Sequence, residues 1–208
     1  MLHLDWLDYA ERLLGPADWS DAASVAALYA RAQALLPSEL LVLPVARVAA
    51  AHIAAHPALR SAVAGKPAAA QPLRALLGDN GLREMIAATL TRLQPIAAVV
   101  ALGLPAPAEF ACAVAVAAGL PAPLADDDLA DDAAVYTADF LRAFNAAPLG
   151  ALVLGADAFP EFDGPIVKLA DHYGWQVLRA GSFASIVVPA DTRPEDAAAL
   201  VATLKEAV

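Results

Sequence analysis

Residues 149–188 constrain the fold of this 208-residue chain more than any other stretch. They contain three short apolar runs, at 149–154, 175–178 and 185–188, with turn-forming and charged residues between them. Short apolar runs bounded by turn residues are typical of buried β-strands. Most of the remaining chain is amphipathic or rich in alanine, which favours helices that need an apolar sheet to pack on. The stretch therefore predicts the sheet around which the fold is built.

The order of strand followed by helix occurs twice earlier in the chain. Apolar runs at 40–43 and 96–102 predict two further strands, and the alanine-rich segment that follows each run predicts a helix. Strands that alternate with helices indicate βαβ units and a parallel sheet. We predict an α/β fold with a mainly parallel sheet of about five strands, either open or a barrel with a reduced number of strands.

The chain is predicted to form one α/β domain over residues 1–208. Its N-terminal part, 1–37, is predicted to be helical, because apolar residues recur there at helical spacing, first over 3–14 and then after the Gly15-Pro16 break. Residues 65–72, GKPAAAQP, have turn formers at both ends and no apolar periodicity, so they predict an internal linker.

The hydrophobic fraction of the chain, 60%, is high, but much of it is alanine, which buries little surface. A membrane-spanning helix needs about 20 consecutive apolar residues. The two most apolar stretches, 40–58 and 96–120, are interrupted by prolines and charged or polar residues. The N-terminus carries acids where a signal peptide carries a basic segment and an apolar core. We therefore expect a cytoplasmic protein with no membrane partner.

The charge of the chain limits its partners. It has 23 acidic residues against 13 lysines and arginines, a formal net charge of −10. Nucleic-acid binding needs a basic face, and anionic lipid surfaces attract basic segments, so we expect neither partner. The single cysteine, Cys112, excludes an intrachain disulfide and a cysteine-rich zinc site. Its apolar surroundings favour a small buried residue over a nucleophile.

The acid-rich segment 121–132 has two interpretations. It could be a functional acidic patch, but acids before and within the first turn of a helix also stabilise the positive end of the helix dipole. Apolar residues at helical spacing follow it, and Arg142 lies near the end of that helix. The sequence favours the structural interpretation.

Ligands of parallel α/β sheets bind at the carboxyl ends of the strands. This rule alone selects the polar residues that directly follow the predicted strands as candidate site residues. They are Arg47, Glu109, Asp157, Glu161, Arg179, Ser182, Asp191 and Arg193.

Asp157 and Arg179 form the most interesting pair among these residues. They follow consecutive predicted strands, so they could face each other across one pocket, and His172 lies between them in sequence. His172 is then a candidate general acid or base. The alternative is that Asp157 and Arg179 are solvated loop charges and that His172 is a helix C-terminal residue favoured by the dipole.

His52 and His56 are spaced i, i+4, so on a helix they share a face and could hold a metal. The glutamate that follows the first histidine in helical zinc motifs is missing, and no third ligand is near in sequence. The sequence therefore favours no metal site. It also contains no Gly-x-Gly-x-x-Gly after a strand, no Walker loop, no Gly-x-Ser-x-Gly and no Cys-x-x-Cys, so we expect no cofactor.

The segment PIVKLADHYGWQVLRAGS, residues 165–182, resembles a helix-to-strand step of the uroporphyrinogen decarboxylase and cobalamin-independent methionine synthase superfamily. The resemblance implies a (β/α)8 barrel in which an apolar strand ends in polar or glycine residues at the active site. The chain lacks the arginine- and glycine-rich N-terminal motif of the decarboxylases. With only Cys112 it also lacks the paired cysteine zinc ligands of the methyltransferases.

Two functions from different classes remain. The first is a non-catalytic or accessory protein that binds a small organic ligand or a partner subunit, as a homodimer that covers apolar faces left open by a partial barrel. The second is a small lyase-like or transferase-like enzyme for a carboxylated substrate. In that enzyme Arg179 or Arg47 would hold the carboxylate and Asp157 or His172 would move the proton, with Glu109, Glu161 and Ser182 as further ligand contacts.

Overall fold

The computed structural model describes residues 3–66, 69–156, 160–181 and 185–206. The strands are β1 (His3–Asp5), β2 (Leu40–Pro44), β3 (Val99–Leu104), β4 (Ala151–Leu154), β5 (Gln176–Arg179) and β6 (Ser185–Val187). The α-helices are α1 (Leu7–Leu14), α2 (Ala22–Leu35), α3 (Val45–Ala55), α4 (Pro57–Ala64), α5 (Gln71–Leu77), α6 (Asn80–Leu93), α7 (Pro107–Ala118), α8 (Asp127–Leu141), α9 (Gly164–Tyr173) and α10 (Pro194–Glu206). Short 3-10 turns lie at Gln94–Ile96, Arg142–Phe144 and Pro160–Asp163.

The strands form one parallel sheet in the order β5-β4-β3-β2-β1-β6. This confirms the predicted α/β class, with six strands in the described residues in place of about five. The additional strand is β1. The sequence predicted a helix over 3–14, because Leu4 and Leu7 have helical spacing, but only Leu7–Leu14 is helical. All three residues of β1 pair with β6, and tertiary pairing of this kind overrides a short helical pattern.

The sheet is curled into a half-barrel, and the length of one connection shows why it cannot be flat. Six flat strands spaced about 4.8 Å apart would place the outer two roughly 24 Å from each other. Only five residues, 180–184, connect β5 to β6 at the opposite end of the strand order. At about 3.6 Å per residue this connection spans at most roughly 22 Å, and it must also return to the start of a parallel strand. Curling brings the two outer strands towards each other.

Helix ends follow local sequence signals. The side chains of Asp21, Asp79 and Asp126 accept hydrogen bonds from backbone N–H groups at the starts of α2, α6 and α8. Helices α7 and α9 end at Gly119 and Gly174, which have φ angles of 88° and 72°. Glycine adopts this left-handed conformation without a steric penalty, and it exposes the last carbonyls to capping bonds.

The predicted linker, 65–72, follows α4 directly and overlaps the start of α5. Its last two residues, Gln71 and Pro72, begin α5, because proline is well suited to the first turn of a helix.

The two faces of the sheet have different neighbours. Leu41, Leu43 and Leu102 belong to a large core cluster that includes residues of the helices. On the opposite face, Leu40, Ala101 and Ala151 form a separate cluster, and the partly buried residues packed against it are also strand residues: Val42, Val99, Val153 and Leu178. The helices therefore cover the outer face of the curled sheet, and the inner face is lined by small and branched apolar side chains.

Candidate functional site

Strands β1 and β2 separate from each other towards their carboxyl ends. They share a single register pair, His3 with Leu40, whereas β2 and β3 pair along five residues. Strand β1 instead stays with β6, to which all three of its residues are paired. A gap therefore opens between β1 and β2 at the edge of the sheet where ligands of parallel α/β proteins bind.

A cavity of about 180 Å³ lies in this gap. It is lined by His3, Leu4, Asp5, Trp6, Leu7, Tyr29, Leu40, Leu41, Val42 and Pro44. An apolar cavity of roughly 150 Å³ is large enough for benzene, so this one has room for a six-membered ring with one or two further atoms. Because the lining is mainly apolar with a few polar groups, it has the usual composition of a small-molecule site.

Aromatic side chains form one wall of the cavity. Trp6 and Tyr29, which are 3% and 2% exposed, meet edge-to-face with ring centroids 5.4 Å apart. The Tyr29 hydroxyl donates a hydrogen bond of 2.6 Å to the Val42 carbonyl of β2. The indole Nε1 of Trp6 is buried and has no hydrogen-bond partner among the described residues. A buried indole N–H normally has an acceptor, so this donor is the unusual feature of the site.

An ion-pair cluster lies beside the aromatic wall. Arg47, in the first turn of α3, pairs with Glu11 and with Asp8, the latter at 3.4 Å. Its guanidinium carbon lies 4.6 Å from the ring centroid of Trp19, and Trp19 Nε1 donates a 2.6 Å hydrogen bond to Glu11. Trp19 in turn packs edge-to-face on Tyr29. Arg47 thus has two carboxylate partners and an aromatic face, and it ties α1 to α3 next to the cavity.

Burial controls the protonation of two residues that line the cavity. Desolvation lowers the pKa of His3 below its usual value, and the nearby Asp5 carboxylate only partly opposes this shift, so His3 is neutral at pH 7. Desolvation also raises the pKa of Tyr29 far above its ordinary value, with smaller effects from Arg47, Asp5 and Glu11. Asp5 is the acidic residue in the cavity lining, and its carboxylate disfavours an anionic ligand.

The structure places several predicted site residues at the carboxyl edge of the sheet. Arg47 and Glu109 lie in the first turns of α3 and α7, which directly follow β2 and β3. Glu161 is exposed on the 3-10 turn after β4. Arg179 ends β5 and pairs with Asp163, whose side chain is 4% exposed. Arg179 therefore connects the end of β5 to the segment that follows β4.

The remaining predicted residues lie elsewhere or outside the described residues. His172 is exposed in the last turn of α9, just before β5 begins, so it lies near the amino end of the strand that ends with Arg179. Asp157 and Ser182 lie outside the described residues. Asp157 comes three positions after Leu154, which is the register partner of Arg179.

His52 and His56 share a helix face, as their spacing predicts, with ring centroids 4.2 Å apart. One ring nitrogen of each histidine has a partner, whereas the buried Nδ1 of His52 has none among the described residues. His52 Nε2 is 2.9 Å from the Asp79 carboxylate, and His56 Nδ1 is 2.8 Å from the His52 carbonyl. Within the described ranges, no cluster of three or more His, Cys, Asp or Glu side chains has an arrangement that could hold a metal ion.

The sequence did not identify the residues that form the cavity. Trp6 and Tyr29 occur at spacings that suit a helix core, and nothing marks them as site residues until β1 is known to be a strand. The available signal was the alternation in HLDW, with apolar Leu4 and Trp6 flanking a charged Asp5, but three residues are too short for a confident strand assignment.

No helix in the described part of the protein has the length and apolar character needed to cross a membrane. Comparison of the chain with protein-family models, with curated proteins and with solved structures gives no match.

Proposed function

We propose that this chain is a non-catalytic binding protein that takes up a small, neutral ring compound with one hydrogen-bond acceptor in the cavity between β1 and β2. The observation that carries the proposal is the buried Trp6 indole N–H, which has no acceptor among the described residues and belongs to a residue that lines the cavity. A carbonyl oxygen on the ligand would provide that acceptor after a rotation of the indole, because the nitrogen itself is buried and has almost no solvent-accessible surface. Leaving such a donor unpaired costs about 1–3 kcal/mol, so satisfying it favours binding.

The size and charge of the site support this ligand class. The cavity volume of about 180 Å³ suits one ring, and the edge-to-face pair of Trp6 and Tyr29 offers an aromatic surface. Asp5 in the lining and neutral His3 favour an uncharged ligand over an anion. These features do not by themselves activate a nucleophile or move a proton, which supports binding over catalysis.

The alternative enzyme, acting on a carboxylated substrate, has less support. It requires an arginine to hold the carboxylate, and both candidate arginines already have carboxylate partners. Arg47 pairs with Asp8 and Glu11, and Arg179 pairs with the buried Asp163. A substrate carboxylate would have to compete with these intramolecular partners.

The test uses three probes of similar shape. 2-Pyridone is a neutral ring with one exocyclic carbonyl oxygen, toluene has the same size and no acceptor, and benzoate is an anion. We expect titration with 2-pyridone to shift the backbone amide NMR signals of β1 and β2, and toluene and benzoate to bind more weakly. The absence of shifts in β1 and β2 with all three probes would contradict the proposal.

Trp6→Phe keeps an aromatic ring and removes the N–H group. It should raise the Kd for 2-pyridone by about 2- to 10-fold, which corresponds to one hydrogen bond of about 0.5–1.5 kcal/mol, and leave the toluene affinity nearly unchanged. The matched control is Trp175→Phe, because Trp175 is also buried but does not line the cavity. Equal loss of 2-pyridone affinity in both variants would show that the Trp6 N–H does not contact the ligand.

A further inference from the structure

The exposed face of α8 has opposite charges at its two ends. Asp128, Asp131 and Asp132 are exposed in its N-terminal half, and Arg142 is exposed directly after its last residue. Val135 lies between them and is 48% exposed. The face therefore runs from acidic through apolar to basic along about 20 Å of helix.

Two shallow grooves widen the basic end of this face. The groove towards α9 has a volume of about 520 Å³ and includes Lys168 and His172 in its lining. The groove towards α5 and α6 has a volume of about 440 Å³ and includes Arg74 and Arg83. Both grooves also contain Val135 and Arg142, so they form one continuous surface on either side of the helix. Four of the 13 lysines and arginines of an acidic chain are concentrated there.

One acidic residue, Asp139, lies on this basic surface. Its carboxylate is 3.5 Å from Arg142 and 4.0 Å from Arg83, so it is already balanced by two arginines. Lys168 and Arg74 add further positive charge, and Arg74 stacks 5.5 Å from the ring centroid of Tyr136 on α8. The basic end thus keeps a surplus of positive charge that can attract an acidic surface.

We propose that the face of α8 is the interface between two copies of this chain, with the two α8 helices antiparallel about a two-fold axis at Val135. The acidic half of one helix then lies on the basic end of the other. Asp128 and Arg142 are each seven residues from Val135, so Asp128 lies opposite Arg142 of the partner subunit, about 10 Å from the axis.

The charges and the exposed valine fit a self-complementary interface. In a two-fold interface every contact occurs twice, so the Asp128–Arg142 pair is formed on both sides of the axis. Asp131 comes opposite Asp139 of the partner subunit, which two arginines neutralise within its own subunit. The two copies of Val135 bury each other at the centre, and antiparallel helices align their dipoles favourably. This inference does not depend on the ligand cavity, which α8 does not line.

Two charge-reversal variants test the interface, because mixing them should restore the dimer that each variant loses alone. Alone, Asp128→Arg places arginine opposite arginine, and Arg142→Glu places glutamate opposite aspartate, so each variant should weaken dimerisation at least about tenfold. In an equimolar mixture, one copy of each variant forms two opposite-charge pairs. Sedimentation should therefore show a dimer for the wild type and for the mixture, and mainly monomer for each variant alone.

The matched control is Val116→Asp on α7, because Val116 is another exposed valine, at 58%, away from this face. It should leave the dimer intact, whereas Val135→Asp should abolish it. Far-ultraviolet circular dichroism verifies that each variant is folded. A monomeric wild type, dimers that persist in both charge variants, or a mixture that stays monomeric would each overturn the proposal.

Discussion

Tyr29→Phe removes one hydroxyl from a buried wall of the cavity and has a stability effect that changes sign with pH. Tyr29 is 2% exposed, and its hydroxyl donates a 2.6 Å hydrogen bond to the Val42 carbonyl of β2. The phenylalanine variant loses this bond while the ring and its packing remain. We therefore expect a loss of about 1 kcal/mol in the free energy of unfolding at neutral pH.

At alkaline pH the Tyr29→Phe variant becomes more stable than the wild type. Burial raises the pKa of Tyr29 above its ordinary value, with Arg47 lowering it and Asp5 and Glu11 raising it to smaller extents. Above pH of about 10 the unfolded chain loses the phenolic proton while the folded protein keeps it. The stabilisation from protonated Tyr29 is therefore complete below pH of about 10 and decreases by roughly 1.4 kcal/mol for each further pH unit.

Phenylalanine has no phenolic proton to lose, so the free energy of unfolding of Tyr29→Phe does not fall for this reason. As the pH rises, the free energies of unfolding of the wild type and the variant therefore become equal and then reverse their order. A deficit of about 1 kcal/mol is cancelled slightly below pH of roughly 11, and above that pH the variant is the more stable protein. The measurement is urea unfolding followed by circular dichroism from neutral pH to about pH 11. Tyr173→Phe, which removes a tyrosine from the half-buried last turn of α9, is the matched control. A difference between Tyr29→Phe and wild type that stays constant over this range would refute the reasoning.

Two other substitutions test the packing around the sheet. Asp79→Ala removes the N-cap of α6 and the carboxylate partner of His52, so it should cost about 0.5–2 kcal/mol in urea unfolding at pH 7. Burial alone would raise the pKa of Asp79, but its bonds from the α6 backbone and His52 outweigh that effect and lower the pKa. The stabilisation is therefore present above a pH of about 4 and lost as the pH falls through the lowered pKa, so an unchanged cost in acid would contradict this account. Gly103→Ala should cost about 1–3 kcal/mol in the free energy of unfolding, because its Cβ would lie 2.8 Å from Val42 Cγ1. The control Gly164→Ala should be neutral, because no atom lies within 4 Å of the added Cβ. Equal melting temperatures of the two variants would refute the claim that β3 packs closely at Gly103.

The sequence predicted the parts of the fold that depend on local patterns. Five of the strands came from apolar runs with turn residues on both sides, and their alternation with helices indicated a parallel sheet. Strand β1 was missed because its three residues carry too little local signal. It is a strand because β6 lies beside it, and that contact joins residues more than 180 positions apart, as His3 and Ser185 show.

The candidate site was harder to predict from the sequence than the fold, because it depends more on contacts between residues that are far apart in the chain. The rule for carboxyl ends of parallel strands placed Arg47 and Arg179 at the correct edge of the sheet, but it could not show that each would be paired with carboxylates. One acidic partner of Arg179 is Asp163, which directly precedes α9 and carries no site signal in the sequence. The cavity itself results from the separation of β1 from β2, which the sequence of neither strand encodes alone.

A crystal structure of the protein grown with 2-pyridone tests the central claim most directly. The account predicts the ring between β1 and β2, against Trp6 and Tyr29, with its carbonyl oxygen about 2.9 Å from Trp6 Nε1. In Trp6→Phe crystals grown in the same way, the cavity should be less occupied. A ring bound at another surface, or one seated in the cavity with its carbonyl oxygen turned away from Trp6, would contradict the account.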